Sequence, residues 1–188
     1  MAGSQKKLNN LSYQVLGVLA RQPRSGYDIV KQLEHFRPAK TSQVYPTLAK
    51  LEEQGLVASQ DVAQTSRPNK RLYTVTEAGQ LELIAWVGTE PDAPYNRDDF
   101  LTMVYSAWLK SPEDVLVMFE ARMEALDRVM EQVQTALAVI LSDFPESLSD
   151  PSNWRFYRYN LQHRRLLQVQ TEQTWCRTMM YQLQKHVT

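Results

Sequence analysis

A short polar stretch in the first half of the chain has side chains of the types that bind a DNA duplex. In a predicted helix over 41–54, Val44, Leu48 and Leu51 share one apolar face at spacings i, i+4 and i+7. The polar positions of the same helix are expected to point away from that face; they are Ser42, Gln43, Tyr45, Thr47 and Lys50. Glutamine can pair bidentately with adenine, and serine or threonine can reach a base edge or a phosphate. The alternative is an ordinary solvated helix face.

A second polar group follows in a turn-rich connection. Two short β-compatible runs, Leu56 to Val62 and Arg71 to Val75, flank this connection and predict a β-hairpin. The predicted DNA-contacting residues of the hairpin are Ser66, Arg67, Asn69, Lys70 and Arg71. Cations and donors of this kind bind phosphates, and an arginine can enter the minor groove. A soluble loop tip is the alternative. Arg71 has the further alternative of a structural role in the returning strand, and Tyr45 that of lying half-buried under the hairpin.

Two positions outside these groups are candidate phosphate contacts. Tyr27 opens the helix before 41–54, where its hydroxyl and the backbone N–H groups can hold a phosphate, with core packing as the alternative. Lys40 immediately precedes the 41–54 helix. Thr41 or Ser42 is expected to cap that helix, and both are counted among the predicted DNA-binding residues.

Catalytic and metal-binding patterns are absent from the sequence. His35, His163 and His186 are scattered without metal-ligand spacing, and we find no Gly-rich phosphate loop or nucleophile constellation. We therefore predict that the protein is not an enzyme and uses no metal or cofactor. The single cysteine, Cys176, is expected to be buried on the last helix, with a redox-sensing thiol as the alternative.

The elements that must position these groups follow from the hydrophobic periodicity of residues 11–87. Three helices, a hairpin and a fourth helix are predicted in that order. Ser25 is expected to cap the second helix with Asp28 as its capping-box partner, Gly55 to end the third, and Thr76 to cap the fourth. Three helices followed by a hairpin form a winged helix–turn–helix, whose third helix enters the DNA major groove.

The second half of the chain has a purely helical pattern. Asp98 to Leu109 predicts one amphipathic helix, Ser111 is expected to cap a long helix, and a last helix is predicted from about 152 to 185. Apolar residues of the long helix recur at alternating steps of three and four, as in a heptad seam; they are Leu116, Phe119, Met123, Leu126, Met130, Val133, Leu137 and Ile140.

Such a helical hairpin leaves apolar surface that a second copy of the chain can bury. The predicted dimerisation residues are Leu116, Phe119, Met123, Leu126, Met130, Val133, Leu137 and Trp175. An intramolecular core is the alternative, and a mixture of the two is expected. Trp108, Trp154 and Trp175 are candidates for an effector pocket near the domain junction, with core packing as the alternative.

Charge and composition divide the chain into two predicted domains. The net charge is zero, but residues 1–88 carry +4 and residues 89–188 carry −4. We assign the first segment to DNA binding and the second to dimerisation, with a response to an effector as a further role. The lone cysteine, the polar N-terminus and the lack of an apolar span of 18 residues predict a cytoplasmic protein without membrane association.

Several segments of the first half resemble the PadR family of bacterial transcriptional regulators. They are Leu16-Gly17-Val18-Leu19, Ser25-Gly26-Tyr27-Asp28-Ile29, Ser42-Gln43-Val44-Tyr45-Pro46-Thr47-Leu48, Leu51-Glu52-Glu53-Gln54-Gly55-Leu56-Val57 and Arg71-Leu72-Tyr73-Thr74-Val75-Thr76-Glu77-Ala78-Gly79. Together they span residues 11–87 in the family's order and spacing. The helical pattern of 98–188 resembles the branch with a long C-terminal domain, to which phenolic-acid repressors belong.

The resemblance implies a mainly α fold with a β wing: a winged helix–turn–helix domain followed by a helical dimerisation domain. It further implies a homodimer that binds double-stranded DNA at a pseudo-palindromic operator, commonly as a repressor, and that a small aromatic or lipophilic effector can release. Pro68 near the hairpin tip departs from some relatives and makes the family's wing contacts less transferable. The alternative is a winged-helix protein-interaction module without specific DNA binding.

Overall fold

The computed structural model describes residues 8–34, 38–62, 70–91 and 98–187. Contacts between Cα atoms divide the chain into two compact units, Met1–Ala93 and Pro94–Thr188. The predicted domain boundary between 88 and 89 lies just after the last helix of the first unit.

Helices and a small sheet alternate in the described part of the first unit. Its elements are α1 (Asn10–Leu19), β1 (Arg24–Ser25), α2 (Gly26–Glu34), α3 (Thr41–Glu53), β2 (Val57–Val62), β3 (Lys70–Val75) and α4 (Glu77–Val87). This order confirms the predicted winged helix–turn–helix arrangement. The predicted caps are also present, since the Ser25 hydroxyl accepts from the Asp28 N–H at 3.2 Å and the Thr76 hydroxyl from the Gly79 N–H at 3.1 Å.

The three strands form an antiparallel sheet in the order β1-β3-β2. The hairpin runs in register from Val57 opposite Val75 to Val62 opposite Lys70. Strand β1 pairs Arg24 with Tyr73 on the other edge of β3. Strand β1 is not among the elements predicted from the sequence, because two residues are too few for a β pattern and their pairing partner lies far along the chain.

The core of the first unit is formed by aliphatic side chains from α1, α2 and α3. Val15, Leu16, Ile29, Leu48 and Leu51 have no exposed surface. Burying a side chain of this size contributes about 1.5–3 kcal/mol each relative to leaving it in water. This core fixes the rotation of α3 about its own axis, and so decides which of its side chains face outward.

The junction of α3, β2 and α4 depends on two glycines. Gly55 has a φ of 71°, and the Leu56 N–H bonds the Leu51 carbonyl at 2.9 Å, which closes α3 with a Schellman turn. Gly79 lies so close to β2 that a Cβ on it would be 2.1 Å from the Leu56 carbonyl oxygen. Thr76 completes the contact, because its N–H bonds the Leu56 carbonyl at 3.1 Å.

Helix α4 packs on α1 through an aromatic stack. The Tyr13 and Trp86 rings are 4.3 Å apart and nearly parallel, and the Tyr13 hydroxyl donates to a Glu82 carboxylate oxygen at 2.8 Å. Burial, followed by the Glu82 carboxylate, raises the pKa of Tyr13. The uncharged phenol is therefore the form that fits this site.

The described part of the second unit is helical. It contains α5 (Asp99–Tyr105), a 3-10 turn (Ala107–Leu109), α6 (Pro112–Asp143), a second 3-10 turn (Pro145–Leu148) and α7 (Trp154–Gln184). Ser111 caps α6 as predicted, accepting from the Asp114 N–H at 3.2 Å. The single helix predicted from Asp98 to Leu109 is wrong at its end, because Ser106 leaves helical geometry with φ −101° and ψ 2°.

Helices α6 and α7 pack against each other as a helical hairpin. Among the described residues, no helix combines the length and the apolar character needed to cross a bilayer.

Candidate nucleic-acid interface

Helix α3 has one fully buried face and one polar face. Val44, Leu48 and Leu51 have no exposed surface, as their spacing predicts. The exposed residues of the helix among those predicted to bind DNA are Thr41, Ser42, Gln43, Tyr45 and Lys50. The core thus holds α3 with these polar side chains in solvent, which is the arrangement a groove-binding helix requires.

Thr47 is an exception to the predicted outward face. It is 9% exposed, and its hydroxyl donates to the Gln43 carbonyl at 2.8 Å. The prediction that it points away from the core is wrong, because a residue three positions after Val44 lies on the same side of a helix. Its hydroxyl already has a partner inside α3.

The N-terminus of α3 is capped differently from the prediction. The helix begins at Thr41, its N-cap is Lys40, and the Gln43 side-chain oxygen accepts from the Lys40 N–H at 3.0 Å. The expected cap by Thr41 or Ser42 is therefore wrong, because Thr41 is already the first residue of the helix and Ser42 the second. Gln43 has one amide atom engaged in this cap, and Lys40 is exposed beside it.

Two tyrosines meet the start of α2. Tyr27 is 66% exposed on the first turn, so the core-packing alternative does not describe it. Tyr45 is 44% exposed, and its ring lies 2.7 Å from where a Cβ on Gly26 would be. Tyr45, on the polar face of α3, thus packs on the N-terminus of α2 beside Gly26.

One predicted wing cation, Lys70, is held by helix α2. Its amino group lies 2.9 Å from an Asp28 carboxylate oxygen. The Ser25 hydroxyl donates to the same carboxylate at 2.7 Å. Lys70, followed by Ser25, holds the pKa of Asp28 below its ordinary value. The carboxylate at the start of α2 is therefore paired, and it neutralises one of the cations expected at the DNA surface.

The next cation, Arg71, is bound to helix α3 through a ring of three side chains. Its terminal nitrogen donates to both Glu52 carboxylate oxygens at 2.9 and 3.0 Å, and its Nε donates to the Ser59 hydroxyl at 2.8 Å. Ser59 in turn donates to Glu52. The Ser59 hydrogen bond, together with Arg71, lowers the pKa of Glu52. We call these three residues, Glu52, Ser59 and Arg71, the wing clamp.

The remaining predicted wing residues, Ser66, Arg67 and Asn69, lie outside the described residues.

The heptad seam of α6 separates into two rows in the structure. One row is buried within the chain: Phe119 and Val133 are at most 1% exposed, and Leu126 is 8% exposed. In the other row, seven residues apart, Leu116, Met123 and Met130 are half-buried and Leu137 is buried. The chain's own helix pair thus accounts for the burial of the first row, whereas the half-buried residues retain surface for another contact.

An ion cluster and an aromatic cluster, neither of them predicted, join α5, α6 and α7. Arg122 donates to the carboxylates of Asp98 and Glu172, the latter at 2.9 Å, and its guanidinium lies 4.8 Å from the centre of the Phe100 ring. Phe100 also packs edge-on against Phe119 and Trp175, at 5.3 and 6.2 Å between ring centres. An arginine within an apolar seam was the available signal, but its partners lie 24 and 50 residues away.

The three tryptophans proposed for an effector pocket have different neighbours. Trp108 is 80% exposed, Trp154 lies beside the Arg155 guanidinium, and Trp175 belongs to the aromatic cluster just described. Cys176 is fully buried, as predicted. Burial, with the nearby Glu172, raises the pKa of its thiol, which makes the thiolate scarce and the residue poorly reactive.

Comparisons with known proteins agree with this geometry. Residues 15–85 match the transcriptional regulator PadR-like family. The negative transcriptional regulator PadR of Bacillus subtilis is 29% identical over 147 residues, which cover 75% of this chain and 81% of the relative. An uncharacterized HTH-type transcriptional regulator of Methanocaldococcus jannaschii is 39% identical over 69 residues, covering 37% of this chain and 67% of the relative.

Solved structures share the fold over nearly the whole chain. Bacillus subtilis PadR in complex with operator DNA gives a TM-score of 0.78 at 24% identity, covering 93% of this chain and 99% of that chain. The same protein in complex with p-coumaric acid gives 0.73 at 24% identity, covering 95% and 99%. The Vibrio cholerae virulence activator AphA gives 0.70 at 24% identity, covering 95% and 100%. With a matching family domain, related sequences and a shared fold, this chain belongs to the PadR-like family of transcriptional regulators.

Proposed function

We propose that this protein is a homodimeric, sequence-specific DNA-binding regulator that represses transcription from a pseudo-palindromic operator. The observation that carries the proposal is the polar face of α3, held in solvent by a helix whose opposite face is completely buried. A structural likeness to a PadR bound to operator DNA supports the same conclusion.

The proposed DNA-binding residues fall into base contacts and phosphate contacts according to the chemistry of their side chains. Ser42 and Gln43, on the first turn of α3, carry groups that hydrogen-bond base edges. Lys40, Lys50 and the Tyr27 hydroxyl are the proposed phosphate contacts, which would fix the position of the helix on the duplex, and their exposure supports this role. Ser66, Arg67 and Asn69 of the wing remain proposed contacts to flanking DNA.

Dimerisation is assigned to the second unit. Four of the predicted interface residues are only half-buried and so keep exposed surface that a partner can cover; they are Leu116, Met123, Met130 and Trp175. Two copies related by a two-fold axis would present two α3 helices to successive major grooves, about 34–36 Å apart. An agent that changes their spacing would weaken operator binding.

A small aromatic or lipophilic effector is the proposed agent of that change, and the complex of Bacillus subtilis PadR with p-coumaric acid supports this chemical class. We propose regulation rather than catalysis, because the matched family is one of transcriptional regulators. A protein that regulates transcription by binding the chromosome acts in the cytoplasm, and we propose that location for this protein.

Fluorescence anisotropy with the DNA upstream of the protein's own gene tests the proposal. A scrambled duplex of equal length is the comparison, and both are titrated at two salt concentrations. We expect tighter binding to the native duplex, weakening as salt rises. Ser42→Ala should reduce the preference for the native duplex, whereas Gln80→Ala on the exposed surface of α4 should not.

Equal, weak binding to both duplexes would require selection from random sequences to look for a distant operator. If no duplex binds even at low salt, specific DNA binding is refuted, and the alternative of a protein-interaction module takes its place.

A further inference from the structure

The wing clamp connects the three elements that must be correctly placed for DNA binding. Glu52 lies on the last turn of α3, Ser59 on β2 and Arg71 on β3. Their hydrogen bonds form a closed ring, in which each side chain bonds the other two. The ring as observed therefore ties the orientation of the hairpin to that of α3.

The clamp lies near the outer end of the two hairpin strands that the structure describes. Arg71 pairs across the hairpin with Asp61, next to the outermost described pair, Val62 and Lys70. A change in the hydrogen bonds of the clamp therefore alters the orientation of the outermost described pair of the hairpin, Val62 and Lys70.

The same end of β3 is also held by helix α2. Successive side chains of a strand point to opposite faces of a sheet, so Lys70 and Arg71 project in opposite directions. Lys70 meets Asp28 on α2, and Arg71 meets Glu52 on α3. The base of the wing is therefore anchored from both faces.

This geometry conflicts with a phosphate-binding role for Arg71. Two of its nitrogens are engaged by Glu52 and Ser59, and the Glu52 carboxylate balances its charge. A phosphate would have to compete with the charge-assisted hydrogen bonds to Glu52 and with the bond to Ser59. The side chain remains 52% exposed, and a pair this exposed contributes little to the free energy of folding. The Arg71–Glu52 pair therefore affects the position of the hairpin relative to α3 more than it affects the free energy of folding.

We propose that Glu52 is a positioning residue for DNA recognition: it sets the wing against α3 through Ser59 and Arg71, and Arg71 is a strut and not a phosphate contact. The proposal rests on the proposed DNA-binding function and adds to it the residue that couples helix and wing.

The substitution Glu52→Gln separates the two roles of Arg71, because they predict opposite results. If Glu52 positions the wing, the ratio of affinities for the native and scrambled duplexes falls by roughly tenfold, about the effect of one mismatched base pair. The slope of log K against log salt then stays unchanged. If Arg71 is a phosphate contact, freeing it tightens binding to both duplexes and steepens that slope by about 0.9.

Three further variants complete the experiment on the full-length protein. Glu53→Gln removes the same charge from the adjacent exposed position and should change neither quantity. Arg71→Ala should reproduce Glu52→Gln in discrimination, with an unchanged salt slope. The double variant should be no worse than either single one, because both remove the same ring. A flatter slope for Arg71→Ala, or additive losses, would overturn the proposal.

Hydrogen exchange of the free protein supplies a readout that does not involve DNA. Glu52→Gln should speed exchange of the amides at the outer end of β2 and β3, at 60–62 and 70–72, and Glu53→Gln should not. Unchanged exchange in Glu52→Gln overturns the positioning role. Faster exchange in a protein that binds neither duplex even at low salt supports the clamp and refutes the proposed function, so the two failures are distinguishable.

Discussion

Replacing Gly79 with alanine tests the junction between α4 and the hairpin. The added methyl carbon would lie 2.1 Å from the Leu56 carbonyl oxygen and 2.8 Å from Val75 Cγ2. Since the first of these atoms is backbone, the start of α4 must move away by about an ångström. That movement strains two hydrogen bonds of Thr76, from its N–H to Leu56 at 3.1 Å and from its hydroxyl to Gly55 at 2.7 Å.

The size of the effect follows from these contacts. Overpacking costs about 1–3 kcal/mol, and each weakened hydrogen bond about 0.5–1.5 kcal/mol. The better helix propensity of alanine offsets up to about 1 kcal/mol of this loss of stability. We therefore expect the first unit of Gly79→Ala to be less stable by roughly 1–6 kcal/mol, after these terms are combined.

Native-state hydrogen exchange of the slowest amides in α1 measures this free energy directly for the first unit. Gly17→Ala is the matched control, because a Cβ at Gly17 meets no atom within 4 Å. In the interior of α1 it should stabilise the unit by about 0.5–1 kcal/mol. If Gly79→Ala is as stable as the wild type, the close approach of α4 to β2 is not present in solution.

Three other predictions concern the wing, the start of α2 and the cysteine. The Arg67→Ala variant should bind native and scrambled duplexes more weakly with a flatter salt dependence, and an unchanged slope would remove this cation from the DNA contact. The lowered pKa of Asp28 stabilises the protein above the carboxyl's unfolded pKa of about 3.9. That stabilisation is lost as pH falls through the folded-state pKa, so the stability difference between wild type and Asp28→Asn, followed by urea unfolding, should shrink below about pH 4; a constant difference contradicts it. Cys176 should react slowly with a thiol reagent in buffer and rapidly in urea, whereas equally fast labelling in both would show that the thiol is accessible.

The sequence predicted most elements of the first unit because their signals are local. Ser25 and Thr76 cap the starts of helices and Gly55 ends one, each through contacts with its immediate neighbours, and all three act where expected. Strand β1 was missed because only its pairing with β3, nearly fifty residues later, makes it a strand.

The candidate site was predicted in its residue types more completely than in its contacts. Periodicity placed Val44 and Leu48 in the core but did not show that Thr47 joins them. The cap by Lys40 was not predicted, because the apolar spacing does not distinguish the N-cap residue from the first residue of the helix. The pairing of Arg71 with Glu52 joins residues 19 positions apart, and single-sequence patterns contain no information about such distances.

The heptad seam of α6 also shows what a sequence pattern predicts and what only the packing of the helices decides. Regular steps from Leu116 to Ile140 predicted an interhelical surface, and α7 does pack on α6. The pattern does not say which row faces inward, since both rows are apolar. In the structure Phe119 is enclosed and Leu116 is not.

The shared guanidinium of Arg122 has a consequence for how this unit can evolve. One cation serves the carboxylates of Asp98 and Glu172, which belong to different segments of the chain. Loss of Arg122 alone would leave two partly buried anions facing each other, and loss of either acid would leave the cation half-compensated. The three positions are therefore expected to change together among descendants, so that their covariation would record this cluster even where the surrounding helices have diverged.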